Sequence, residues 1–202
     1  MTKLEDRIRI EKVEVLANDW STLKKTTLAF LRSDGSWQTL TRETYDRGNG
    51  ATLLLIHRER GCVLLTRQFR YPAFVNGATD LLIEACAGLL DARDAETAIK
   101  AEVEEELGVR VSSVAKVFES YMSPGSVTEK LHFFVAEYTA EDRVSGGGGD
   151  AGEGEDIEAL EIPFGDALAM IDDGTIVDGK TIMLLLYAQW KQLAVPRPPA
   201  AR

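Results

Sequence analysis

The chain of 202 residues contains two histidines and two cysteines, and that scarcity excludes several kinds of chemistry. His57 and His132 stand apart from each other and from either cysteine, so the spacing disfavours a zinc site of the His/Cys type. Cys62 and Cys86 lie in apolar, strand-like stretches and read as buried free thiols rather than a disulfide. No apolar run approaches the ~20 residues of a membrane span. The opening MTKLEDRIRIEKVEV alternates charged and apolar residues without the apolar core of a signal peptide, so the expected location is the cytoplasm. Basic residues are also in short supply. Lys and Arg number 23 against 33 Asp and Glu, a net charge of −10, which argues against sequence-independent nucleic-acid binding. A small anionic substrate stays possible, because a bound cation reverses the local sign.

What is present reads as an ordinary globular chain, 45% hydrophobic and 28% charged, without internal repeats. RIRIEKVEVL, TLKKTTLAFL and WQTLTRETY predict three strands, with a hairpin turn at Ser33-Asp34-Gly35-Ser36. ATLLLIH and CVLLTRQF predict two buried strands joined by RERG, and LLIEACAG a further short apolar run. From Asp94 the period changes: Ala95, Ala98, Ile99, Val103 and Leu107 recur at helical spacing until Gly108. VAKVFESY, KLHFFVAEY and IEALEI predict more strands, and FGDALAMIDDG and KTIMLLLYAQWKQL closing helices. Residues 145–156, SGGGGDAGEGED, hold six glycines and read as a flexible acidic loop; PRPPAAR reads as a frayed tail. The expected fold is a mixed α/β sandwich with the first 45 residues as a separate sheet.

Within the predicted central helix, EVEEELG concentrates negative charge. Glu102, Glu105 and Glu106 fall within an arc of about 100°, while Glu104 points elsewhere. Ile99, Val103 and Leu107 form the adjacent apolar stripe, so the carboxylates stand at the edge of a packed face. A solvated acidic face is the plain explanation of such a run. Carboxylate oxygens are also the preferred ligands of Mg²⁺, which shares its sites with substrate phosphates.

AGLLDARDAETAIKAEVEEELGV resembles the Nudix box, G-x5-E-x7-R-E-U-x-E-E-x-G-U with U apolar. Gly88, Glu102, Val103, Glu105, Glu106, Gly108 and Val109 match it. Asp94 stands at the first glutamate, six residues follow instead of seven, and Ala101 replaces the arginine that orients the glutamates in the family; Lys100 offers a partial substitute. YDRGNGATLLLI, RQFRYPAFVNG, YMSPGSVTEKLHFFVAEY and EDIEALEIPF extend the resemblance to the nucleoside-diphosphate-sugar branch over about residues 40–190.

The resemblance implies an α/β (α+β) Nudix sandwich with a mixed sheet over residues 46–195. It implies an N-terminal antiparallel β region over 1–45 that serves dimerisation and base contact, and a disordered tail over 196–202. It also implies Mg²⁺-dependent (Mn²⁺ also suits) hydrolysis of a P–O–P bond. By position, Glu102, Glu106, Glu155 and the carbonyl of Ala87 would hold metal. Glu105, Glu153 and Glu155 are the catalytic candidates, and which of Glu153 and Glu155 is the base stays open. Trp20, Thr41, Arg42, Glu43, Arg47, Arg70, Ala87, Gly88, Leu89, Glu106, Glu129 and Lys180 match substrate-contacting positions, Trp20 by stacking on a base across a homodimer. Arg67 reads as structural.

GDP-mannose is the favoured substrate, with ADP-ribose next. A non-catalytic sensor of nucleotide sugars is the alternative, favoured by Ala101. A nucleic-acid-directed member ranks last for want of basic patches.

Overall fold

The computed structural model describes residues 3–194 and divides into two units, one of residues up to Asn49 with Tyr121–Lys130, the other of Gly50–Ser120 with the residues from Leu131 on. The PRPPAAR tail lies outside the described residues.

The first unit is an antiparallel sheet in the order β1 (Ile8–Asn18), β2 (Thr22–Leu31), β3 (Trp37–Asp46). The β2–β3 hairpin closes because Asp34 Oδ1 accepts from Ser36 N at 2.9 Å and Ser36 Oγ at 2.6 Å, while Gly35 takes a φ of +82° that a side chain would resist. Two register shifts, at Ile10/Lys12 and Val15/Ala17, interrupt the β1–β2 ladder. The segment after Tyr121 joins this unit through Tyr45 N–H to Ser126 O at 2.8 Å and Thr128 N–H to Tyr45 O at 3.1 Å. β1 is an edge strand, and it leaves Ile10, Val13, Val15 and Leu16 exposed.

The second unit is a seven-stranded mixed sheet. Its spine runs β10 (Glu158–Pro163), β5 (Cys62–Gln68), β4 (Gly50–His57), β9 (Lys130–Glu137), β8 (Ala115–Tyr121). β4 runs parallel to β9 and antiparallel to β5, and is buried along its whole length. Its unbroken apolar sequence follows from coverage on both faces. Helix α2 (Ala95–Leu107) packs its Ile99, Val103 and Leu107 with Ala51, Leu53 and Leu55, and helix α4 (Gly179–Trp190) also contacts β4. Helix α3 (Phe164–Asp172) lies between β10 and α4 in the chain.

Three features differ from the sequence expectation. RYPAFV contains a short helix, α1 (Tyr71–Val75), too brief to show a period, with proline at its start where no N–H is needed. LLIEACAG is not one run but two strands on different partners, β6 (Leu82–Glu84) on β5 and β7 (Cys86–Leu89) on β4. β5 pairs with β4 only over Cys62–Leu64, and the chain crosses at Ala85 into the split that opens beyond. Side chains complete the broken ladder there: Thr66 Oγ1 donates to Glu84 O at 3.1 Å, Thr52 Oγ1 to Cys86 O at 3.0 Å, and Ala85 N–H to Thr181 Oγ1 at 2.6 Å. Lastly, Cys86 is fully buried but Cys62 only half so, and both are free thiols.

Candidate active site

The split in the sheet and the C-terminal half of α2 bring the acidic residues together. Asp94, at the place of the box's first glutamate, caps α2: its Oδ1 accepts from Thr97 N at 3.0 Å and its Oδ2 from Thr97 Oγ1 at 2.6 Å. Gly108 ends the helix at a φ of +66°, where a Cβ would also collide with the Ser145 carbonyl.

Between those caps the four glutamates meet different fates. Glu104 points away and makes a two-pronged pair with Arg110, at 2.8 and 2.5 Å. Glu105 is exposed at the end of the helix, and Glu102 is half-buried. Glu106 is only 2% exposed. The Cys86 thiol lies beside its carboxylate and favours the charged form, and its Oε2 is buried with no partner among the described residues. Burial first, then the charges of Glu102 and Glu155, lift the Glu106 carboxyl to about 7 against the pull of Cys86 and Arg70. Glu102 is raised by burial and by Glu105, with Arg93 opposing. Glu105 is raised by burial and then by Glu155, Asp150 and Glu153. These carboxylates therefore share one field that is short of positive charge.

Gly88 lies against this cluster. A Cβ there would run into the carboxyl group of Glu102, so the strand that holds Ala87, Gly88 and Leu89 passes directly beside it. The glycine stretch after α2, expected to be flexible, is instead folded onto the end of the helix. Gly148 N–H donates to Glu106 O at 2.9 Å and Gly149 N–H to Glu105 O at 3.2 Å. At Gly147, with a φ of +68°, an added Cβ would run into the Glu106 carbonyl, so only glycine fits. The same loop closes on itself as Glu155 Oε2 accepts from Asp150 N at 3.0 Å, which turns Glu155 toward the other carboxylates. Glu153 sits exposed on a single 3-10 turn, Ala151–Glu153, and its charge registers at Glu105.

Two cations stand at the split. Arg70 donates through Nε to Glu84 Oε2 at 2.7 Å, and Lys180 through Nζ to Glu84 Oε1 at 2.5 Å. A lysine in the first turn of a helix reads from sequence as solvated, but the Lys180 side chain is 11% exposed. Lys100 does not replace the box arginine: it pairs with Glu96 at 2.6 Å and the Ser112 carbonyl at 3.0 Å, away from Glu102. Arg93 is the cation that approaches Glu102, at 3.4 Å. Arg67 pairs with Glu158 at 3.3 Å.

The remaining candidates belong to the first unit. Trp20 is 87% exposed in the β1–β2 turn. Thr41, Arg42 and Glu43 are exposed on β3, and the Arg42 guanidinium folds back onto the Thr41 carbonyl at 2.8 Å. Arg47 and Glu129, 3.5 Å apart, form an ion pair with each other.

Sequence reasoning missed Glu84, Cys86 and Arg93 as members of the site. Glu84 had a readable signal, since a lone carboxylate in an apolar strand must find a partner.

The residues present suit a divalent cation on two observations, the partnerless buried oxygen of Glu106 and the burial, followed by mutual repulsion, that lifts three carboxyls. Among the described residues no three acidic side chains already stand as a finished ion cage.

A mixed sheet between helices, with a carboxylate-bearing helix after a strand–glycine segment, is the arrangement of a known class of hydrolases. Residues 46–185 match the NUDIX domain, and residues 7–45 match the N-terminal domain of the GDP-mannose pyrophosphatase NudK. The chain belongs to the Nudix family. More particularly, it is 52% identical over 186 residues to a GDP-mannose pyrophosphatase of Yersinia enterocolitica, covering 90% of this chain and 96% of the relative. It is equally identical to one from Pectobacterium atrosepticum, over 90% and 93% of the two chains. The fold superposes on the crystal structure of an ADP compounds hydrolase with a TM-score of 0.70 at 18% identity, over 92% and 95% of the chains. Among the described residues no helix is long and apolar enough to cross a membrane.

Proposed function

We propose that this protein hydrolyses the pyrophosphate bond of a nucleoside diphosphate sugar, GDP-mannose before ADP-ribose, to a nucleoside monophosphate and a sugar phosphate. The observation that carries the reading is the buried Glu106 carboxylate, its Oε2 without a hydrogen-bond partner among the described residues, in a field of Glu102, Glu105 and Glu155, with two cations at the neighbouring split. The relatives' name and the extent of their similarity support the choice of substrate.

Glu102, Glu106, Glu155 and the Ala87 carbonyl would hold divalent ions, Mg²⁺ by the oxygen-only donor set. When bound, such ions neutralise the diphosphate and lower the pKa of an attacking water. Gly88 lets the strand approach Glu102, and the Ala87–Leu89 backbone borders the substrate. Glu155, turned inward by Asp150, is a metal-side carboxylate, while the exposed Glu153 and Glu105 are the groups free to take a proton. Arg70 and Lys180 bind phosphate oxygens, a guanidinium being suited to two at once.

The N-terminal sheet pairs two copies through the exposed apolar edge of β1 and offers Trp20, Thr41, Arg42 and Glu43 to the base, with Arg47 and Glu129 on the sugar–phosphate side. The protein works in the cytoplasm.

Product analysis with Mg²⁺ tests the reading: GMP and mannose 1-phosphate from GDP-mannose support it, and preferential AMP release from ADP-ribose moves the specificity to the other branch. A second reading, a non-catalytic sensor, is favoured by Ala101, which leaves the glutamates without their usual arginine. Tight binding of GDP-mannose without turnover in Mg²⁺ or Mn²⁺ would establish it.

A further inference from the structure

Glu84 is only 3% exposed in a strand that is otherwise apolar, at the point where the chain crosses from β5 to β4. A buried ion pair is a poor way to stabilise a fold, since well-packed apolar side chains serve equally well or better. Here one carboxylate serves two cations that reach it from distant parts of the chain. Arg70 precedes α1 and lies 14 residues away; Lys180, in the first turn of α4, lies 96 residues away. Each takes a different oxygen, so Glu84 fixes both positions at once. Asp178 completes the group: its Oδ1 is 3.0 Å from Lys180 Nζ, while its Oδ2 accepts from the backbone N–H and hydroxyl of Thr181.

The way Arg70 is held leaves its working end open. It donates through Nε, and among the described residues its two Nη groups make no hydrogen bond; the side chain is 39% exposed. The free Nη edge is one through which a guanidinium can grip two oxygens of one phosphate. The charge of Arg70 is felt at Glu106, and that of Lys180 at Cys86 beside it, so both cations border the acidic cluster. Two carboxylates against two cations also keep the cluster balanced while no anion is bound.

We propose that Glu84 is a positioning residue, which anchors Arg70 by Nε and Lys180 by Nζ as a preorganised pair for the diphosphate of the nucleotide sugar. The proposal rests on the reading of Arg70 and Lys180 as substrate-binding residues. An anchored fork loses less freedom on binding than a free arginine does, and that saving is what Glu84 contributes.

The test is steady-state kinetics on GDP-mannose at saturating Mg²⁺ for Arg70→Ala, Lys180→Ala, Glu84→Gln and Glu84→Asp, together with Glu84→Gln placed in the Arg70→Ala/Lys180→Ala double variant. Glu84→Gln keeps the shape but swaps one acceptor for a donor. Glu84→Asp keeps the buried charge paired and withdraws it by one methylene, so it guards against a loss of fold in the first variant. Each Glu84 variant is expected to raise KM about tenfold or more, the scale of one charge-assisted hydrogen bond, with a smaller effect on kcat. The Mg²⁺ concentration for half-activation should not move. In the double variant, Glu84→Gln should add less than about twofold, because the residues it acts through are gone.

A KM within about twofold of the native value for the folded Glu84 variants, while Arg70→Ala and Lys180→Ala raise it, would overturn the positioning role alone. A full, multiplicative effect of Glu84→Gln in the double variant would do the same, since a purely structural brace acts without those cations. If Arg70→Ala and Lys180→Ala leave KM unchanged, it is the underlying assignment of substrate-binding residues that fails.

Discussion

Replacing Glu106 with glutamine should remove activity and, in metal-free protein, change stability in a strongly pH-dependent way. The carboxyl is raised from its ordinary 4.5 to about 7, mainly because it is buried at 2% exposure. Each unit corresponds to ~1.4 kcal/mol, so holding the charge inside the folded protein costs about 3 kcal/mol once it is fully ionised. The sign follows from the direction. Below pH 4.5 the group is protonated in both states and costs nothing; as pH rises through about 7 the native protein loses that increment.

Glutamine carries no such penalty, though its amide adds a constant cost if left unpaired, of about 1–3 kcal/mol. Comparing the two proteins at two pH values cancels that constant. Urea unfolding in EDTA at about pH 5 and pH 8 should show Glu106→Gln gaining about 2–3 kcal/mol on the native protein between the two. A gain below about 0.5 kcal/mol, or a gain in the opposite direction, would refute the claim that this carboxylate is buried without a counter-charge. With Mg²⁺ present, Glu106→Gln should lose most of its turnover while retaining its fold.

Gly88→Ala drives a methyl into the Glu102 carboxyl; turnover should fall at least about tenfold, with a higher Mg²⁺ requirement in a metal titration. Gly147→Ala meets both a positive φ of +68° and the Glu106 carbonyl; thermal unfolding should show a loss of about 1–3 kcal/mol, and activity should fall with it because the loop carries Glu155. Val13→Lys or Val15→Lys, both at exposed apolar positions of the β1 edge strand, tests the proposed pairing of two copies: sedimentation should show less dimer than for the native protein, without a lower content of secondary structure.

Much of the fold was legible because it is locally encoded. β1 follows from alternation, β2 and β3 from strand-forming stretches either side of the Asp34-Gly35 turn, β4 and β5 from their apolar runs, and α2 from a 3.6-residue period between an Asp94 cap and Gly108. The same period places Glu102, Glu105 and Glu106 on one face and Glu104 off it, and Glu104 is indeed turned to Arg110.

Periodicity does not say which of three carboxylates on one arc is buried. The packing of α2 against β7 decides that, by setting Cys86 beside Glu106 while Glu105 stays exposed. Nor does a local pattern show that LLIEACAG must divide between two strands, since the division depends on β4 and β5 separating beyond Leu64. The glycine stretch reads as flexible because glycine is permissive, and nothing in its own pattern shows that its backbone donors meet the carbonyls at the end of α2.

The sequence by itself determined most of the strands, though not the division of LLIEACAG, together with the central helix and the acidic face, because each of these follows from the spacing of near neighbours. Only the tertiary structure decided that Lys100 turns away, that Arg93 faces Glu102, and that Arg70 and Lys180 share Glu84. A charge's partner is set by what packs beside it in space, and here those partners lie up to 96 residues apart in the chain.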